Sequence, residues 1–159
     1  MHPFVRRLGV SLAILALLVG SGAGVGAAAR SGRLIPVAFP FALALILVLR
    51  RFGAPAERWG WAAFTLWLGS TYLATGGSRE TVALAAYGLA GVLGAVWSPY
   101  ILAAAWLLHP VWDFVPRTLP VLLTDLPTAC LLFDIPIGAY LAWEGYRGRW
   151  AARQQATTR

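Results

Sequence analysis

The polar positions along this chain are gathered into short clusters, and nearly everything between them is hydrocarbon. Six apolar runs result, over residues 8–26, 34–49, 59–74, 81–97, 99–115 and 127–143. Several are close to the lower limit of the ~17–25 residues that carry a helix across a bilayer core. The pattern predicts an all-α, polytopic integral membrane bundle of about six transmembrane helices, with five as the alternative count.

The breaks between runs carry their own signals. In "VWSPY", residues 96–100, Ser98 is placed to cap a helix that begins at Pro99, where a missing N–H costs nothing. The fourth and fifth helices should therefore form a tight hairpin. "ATGGSRET", residues 74–81, is a second break with Ser78 and Thr81 as alternative caps, and "VLRRFGAPAERWGW" connects the second and third helices. In "GLAGVLGA", residues 88–95, small residues are spaced so that a neighbouring helix can come close. No internal repeat stands out.

Composition strengthens the membrane reading: 59% of residues are hydrophobic and 12% charged. The six spans leave no room for a soluble catalytic domain, so function is expected within or between the helices, in one transmembrane domain with a short basic tail at 147–159. The segment "FVRRLGVSLAILALLVG" followed by "GAAARS" also has the outline of a signal peptide, with cleavage conceivable after Ala29. Its length suits an anchor, and it is read as the first helix.

Charge adds orientation. All thirteen basic side chains are arginine. Alternating the segments between spans puts Arg6, Arg7, Arg50, Arg51, Arg58, Arg147, Arg149, Arg153 and Arg159 on one side, against Arg30, Arg33, Arg79 and Arg117. The positive-inside rule then places both termini in the cytoplasm and the protein in the cell (inner or plasma) membrane. The net charge of +7 is a topology signal and an attraction to anionic lipid headgroups; no basic stripe suggests nucleic acid. Trp59, Trp61, Trp97, Tyr100, Trp143, Tyr146 and Trp150 fall near span ends, as expected of rings at headgroup level, while Trp67, Trp106 and Trp112 read as packing residues.

Five of the ten prolines fall between Pro110 and Pro136, the stretch that also holds Asp113, Asp125 and Asp134 and adjoins His109. Proline inside a helix frees a carbonyl and bends the axis. Irregular backbone at membrane depth persists only where protein or water satisfies it. The fifth and sixth helices are thus expected to be proline-kinked around a polar pocket. His109 and Asp113 are four residues apart and share one helix face. His109 lies about as far from the outer end of its helix as Asp134 lies from the start of the next, each roughly 10 Å below the outer boundary. At matched depth the two should pair, since an isolated charge in lipid costs several kcal/mol.

His109, Asp113 and Asp134 are therefore the candidate catalytic residues. With Asp125 they are also the candidate ligands of a divalent metal such as zinc, manganese or iron. For Asp125, helix capping is the stronger reading. The bland account of the cluster is a hydrogen-bonded His and Asp pair that braces two helices. Cys130, the single cysteine, reads as a small buried apolar residue, and Glu57 and Glu144 as interfacial partners of nearby arginines. No phosphate-cradling loop or nucleophile with a base at useful spacing is present.

The segments "AWLLHPVWDF" and "TDLPTACLLFDIPIGAYLAW" resemble an uncharacterised family of small bacterial multi-pass membrane proteins, known as a domain of unknown function. A His-x-x-Trp-Asp element there ends one helix, and a Cys-x-x-x-Asp element opens the next. His109, Trp112, Asp113, Cys130 and Asp134 match, over about residues 97–143. Where such proteins often carry further histidines after the Trp-Asp, this chain reads "FVPRTLP". The resemblance implies about six helices and a shared polar element, with no assigned activity. Three functions follow as expectations: a metal-dependent enzyme on a lipid-like substrate, a small proton-coupled transporter, or a non-catalytic structural or partner-binding membrane subunit.

Overall fold

The structure, a computed structural model, describes residues 3–70, 78–116 and 119–150. It is all-helical, with no strand among the described residues. Six α-helices follow one another: α1 Pro3–Arg30, α2 Leu34–Arg51, α3 Ala54–Ser70, α4 Ser78–Val96, α5 Pro99–Asp113 and α6 Leu126–Tyr146. A 3₁₀ turn, Val121–Leu123, precedes α6.

Each helix falls on one of the six apolar runs; the last four residues of the third run, 71–74, lie outside the described residues. Four helical segments, Val5–Arg30, Leu34–Arg51, Ser78–Val96 and Val121–Tyr146, are long and apolar enough to cross a membrane. With 17 and 15 residues, α3 and α5 are shorter. At ~1.5 Å per residue, α5 rises only ~22 Å against a hydrocarbon core of ~30 Å. Pro40, Pro110 and Pro136 all lie inside helices that continue past them.

The Ser98 cap forms as the sequence predicts, its hydroxyl accepting from the Tyr100 N–H at 3.3 Å with Pro99 in the first turn. Gly94 then packs on Leu102 across the α4–α5 hairpin. The proposed Ser78/Thr81 break borders residues 71–77, which lie outside the described ones, as do His2, Arg117, Arg153 and Arg159.

Small residues set the closest approaches. A Cβ at Gly91 would stand 2.8 Å from the Ala62 carbonyl oxygen, so α4 and α3 meet nearly backbone to backbone. On α6, Gly138 faces Leu107 and Gly145 faces Pro99 and Tyr100. Those pairings step down α5 as they climb α6, so the two helices run antiparallel in close register. α2 packs on the other side of α6, with Phe41 stacked on Phe133 at 5.3 Å between ring centroids.

The core centres on Trp61, Phe64, Leu102, Trp106 and Ile137, all with no exposed surface. Trp106 donates to Thr65 Oγ1 at 2.9 Å and meets Trp61 edge-on. Trp61 and Trp150 were expected at headgroup level; both are buried, Trp61 because α3 turns it inward onto Trp106 and Tyr140. Trp59, Trp97, Tyr100, Trp143 and Tyr146 are exposed near helix ends, as expected. α1 contributes little to the core; among its described side chains only Ser21 and Ala28 are buried.

The close approach of α4 to α3 yields a test. Gly91→Ala should lower stability by about 1–2 kcal/mol, overpacking outweighing the better helix propensity of alanine. Gly20→Ala, with nothing within 4 Å of the added methyl, should be neutral or stabilising. Thermal unfolding of the two variants in detergent checks the contrast.

Candidate functional site

Two residues on each of two antiparallel helices create one polar cluster of four. His109 and Asp113 are separated by one turn of α5, and Cys130 and Asp134 by one turn of α6. Residues four apart project from one helix face. The α5–α6 register fixed by Gly138 lays one pair against the other. His109 Nδ1 lies 2.7 Å from Asp134 Oδ2, within hydrogen-bond distance, and 3.4 Å from Asp113 Oδ2. One donor atom from each of His109, Asp113, Cys130 and Asp134 lies within 4.8 Å of the other three.

All four residues are buried. Asp134 has no exposed surface, and its Oδ1 has no hydrogen-bond partner among the described residues. Burial of a carboxylate oxygen without a donor forfeits its hydration and is uncommon in folded proteins. From α4, Tyr87 places its ring edge-on to the His109 imidazole at 5.3 Å, and Glu80 accepts from Trp112 Nε1 at 3.3 Å. α4 thus closes the side of the cluster that α6 leaves open.

The depth-matched pairing of His109 with Asp134 is present, and Asp113 joins it. Asp125 does not: it is exposed at the start of α6, outside the cluster. It occupies the N-cap position of α6 yet makes no side-chain cap bond, its backbone being helical at φ −85°, ψ −3° instead of extended. Cys130 takes the place expected of Asp125. The signal for it was the four-residue spacing to Asp134, which mirrors that of His109 to Asp113. A thiol in an apolar run otherwise reads as packing.

A second polar cluster sits at the other end of α6. Glu57 and Glu144, expected at an interface, have no exposed surface. Arg149 reaches both, with Nη2 2.7 Å from Glu57 Oε2 and Nη1 3.1 Å from Glu144 Oε2. Tyr140 donates its hydroxyl to Glu57 and accepts from Arg149 at 3.3 Å. Arg50 approaches Glu144 at 3.6 Å. The turn after α6 makes this possible: Gly148, at φ +63°, takes a left-handed conformation that L side chains rarely adopt and folds Arg149 back over the bundle. Burial lowers the Arg149 pKa, but Glu57 and Glu144 outweigh it and hold the guanidinium above its ordinary value. The charges are mutually neutralised, which marks a structural clamp between α3 and α6.

Beside the first cluster lies a cavity of about 390 Å³ between α1, α2, α3 and α6. Cys130 belongs both to its wall and to the four-residue cluster. Comparison with protein-family models, with curated proteins and with solved structures finds no match to this chain.

The clamp can be tested apart from the site. Arg149→Met leaves buried Glu57 without its counter-ion and Glu144 with Arg50 alone, and should cost about 3–5 kcal/mol. Adding Glu57→Gln and Glu144→Gln should restore much of the loss. Unfolding temperatures of the single and triple variants, in one detergent, check this.

Proposed function

We propose that this chain is a membrane-embedded, metal-dependent enzyme acting on a lipid-like substrate, with one divalent ion of the zinc class held by His109, Asp113 and Asp134 and by Cys130 as fourth donor. The observation that carries the reading is the buried four-residue cluster, with one donor atom of each within 4.8 Å of the rest. The unpartnered Oδ1 of Asp134 adds to it. Imidazole, thiolate and carboxylate together suit zinc by ligand type. A divalent cation would also offset several acidic groups that are costly to ionise away from water.

Ligands on a tetrahedral ion at ~2.0–2.1 Å sit about 3.3 Å apart. Binding would therefore draw His109 and Asp134 apart from 2.7 Å by about half an ångström, with Nδ1 giving up its proton to become a ligand. Three protein ligands with a fourth position open to substrate are the usual catalytic arrangement. His109, Asp113 and Asp134 would supply those three, and Cys130, which also lines the cavity, would be the donor that leaves its corner to a substrate oxygen. In this reading all six helices are embedded, with both termini cytoplasmic and the site near the outer leaflet. Four of the five residues that carry the resemblance to the uncharacterised family are the proposed ligands.

The direct 2.7 Å bond between His109 and Asp134 favours a second reading, a pair that exchanges a proton or braces α5 against α6 without any ion. Metal analysis separates the two. Purified protein should carry close to one zinc per chain, Asp134→Asn and His109→Ala should lose it, and Cys130→Ala should retain it more weakly. Wild-type protein that takes up no stoichiometric zinc, manganese or iron on titration would reject the metal reading and leave the pair as brace or proton carrier.

A further inference from the structure

The cavity beside Cys130 has its polar groups at one end. Ser31 and Arg33, in the turn between α1 and α2, line it there; Phe41, Trp67 and Phe133 line it elsewhere. Among the described lining residues there is no Asp or Glu. At about 390 Å³ it falls within the range of small-molecule sites. A helix ~10 Å across would use up that volume within one turn, so a partner helix is a poor occupant. A flexible chain of methylenes is narrow enough, and the apolar walls give it a favourable transfer from water.

We propose that this cavity is the chamber for a single fatty-acyl chain with an anionic head, the head held at Arg33 and the chain running past Cys130 toward Phe41 and Phe133. The charge argument is specific to this end of the cavity. Arg33 is exposed, it lines the cavity, and no carboxylate among the lining residues competes for it. The role of the bound chain as substrate rests on the metal reading above; its binding does not. Because Cys130 is common to the cavity wall and the cluster, a chain seated there passes the proposed ion on the side where the fourth position lies.

Gly24 offers a way to fill the chamber without disturbing the fold. It lines the cavity, and a Cβ added there meets nothing within 4 Å. Leucine is also the better helix former. The experiment uses the full chain in nanodiscs doped with one of three diazirine-bearing probes: palmitic acid, phosphatidylglycerol with a labelled acyl chain, or hexadecanol. Peptide mapping by mass spectrometry should place the label of one or both anionic probes in residues 24–41 and 126–133. The stronger of the two identifies the source of the chain.

Labelling should fall about tenfold in Arg33→Gln, the worth of one charge-assisted contact. Gly24→Leu should abolish it while leaving zinc content unchanged. Label spread evenly over exposed faces such as that of α4 (annular lipid only), persistence in Gly24→Leu, or equal labelling by hexadecanol would each overturn the proposal. Absence of specific labelling in wild-type protein that carries its zinc fails the chamber alone. Specific labelling in protein that binds no metal fails the enzyme reading alone.

Discussion

The contact between His109 and Asp134 is possible only because α5 and α6 approach closely at Gly138, where Leu107 fills the space a side chain would need. An imidazole and a carboxylate hidden from water are costly one at a time and tolerable together. The helix pair that brings them together therefore cannot shift by even one residue without leaving both groups stranded. Packing and charge pairing specify the same register, which is what makes the arrangement unique among the ways two apolar helices could lie side by side.

That register organises the surrounding parts. α4 closes on α5 through the Ser98 hairpin and contributes Tyr87 against the imidazole. α2 covers the far side of α6 through Phe41 and Phe133, and the same two rings form part of the apolar cavity. Cys130 joins the two environments, polar on one side and hydrocarbon on the other. The two sit side by side because α6 turns one face to α5 and another to α1 and α2.

Much of this was legible in the residues alone. The six helices follow from apolar run lengths, the hairpin from Ser98-Pro99, and the meeting of His109 with Asp134 from their matched depth on antiparallel helices. What escaped had physical reasons. Cys130 is too weakly polar to stand out in an apolar run. Trp61 resembles an interfacial tryptophan until tertiary packing turns it onto Trp106. Glu57 and Glu144 pair with arginines as expected, but their burial was not legible because Arg149 reaches them only through the left-handed turn at Gly148. Asp125 had the sequence position of a cap or ligand, but its helical backbone angles aim it at neither.

Asp134 and Glu144 stand ten positions apart on α6, ~15 Å along its axis, and each is tied to a different neighbour. A helix held by one polar contact can pivot about it; one fastened at two levels, near its middle and near its end, cannot. Rotating α6 by the ~100° of a single residue would tear the carboxylates from His109 and Arg149 at the same time. α6 is therefore keyed like a shaft with two pins, so any motion that admits or releases a molecule beside it has to come from its neighbours, α1 foremost.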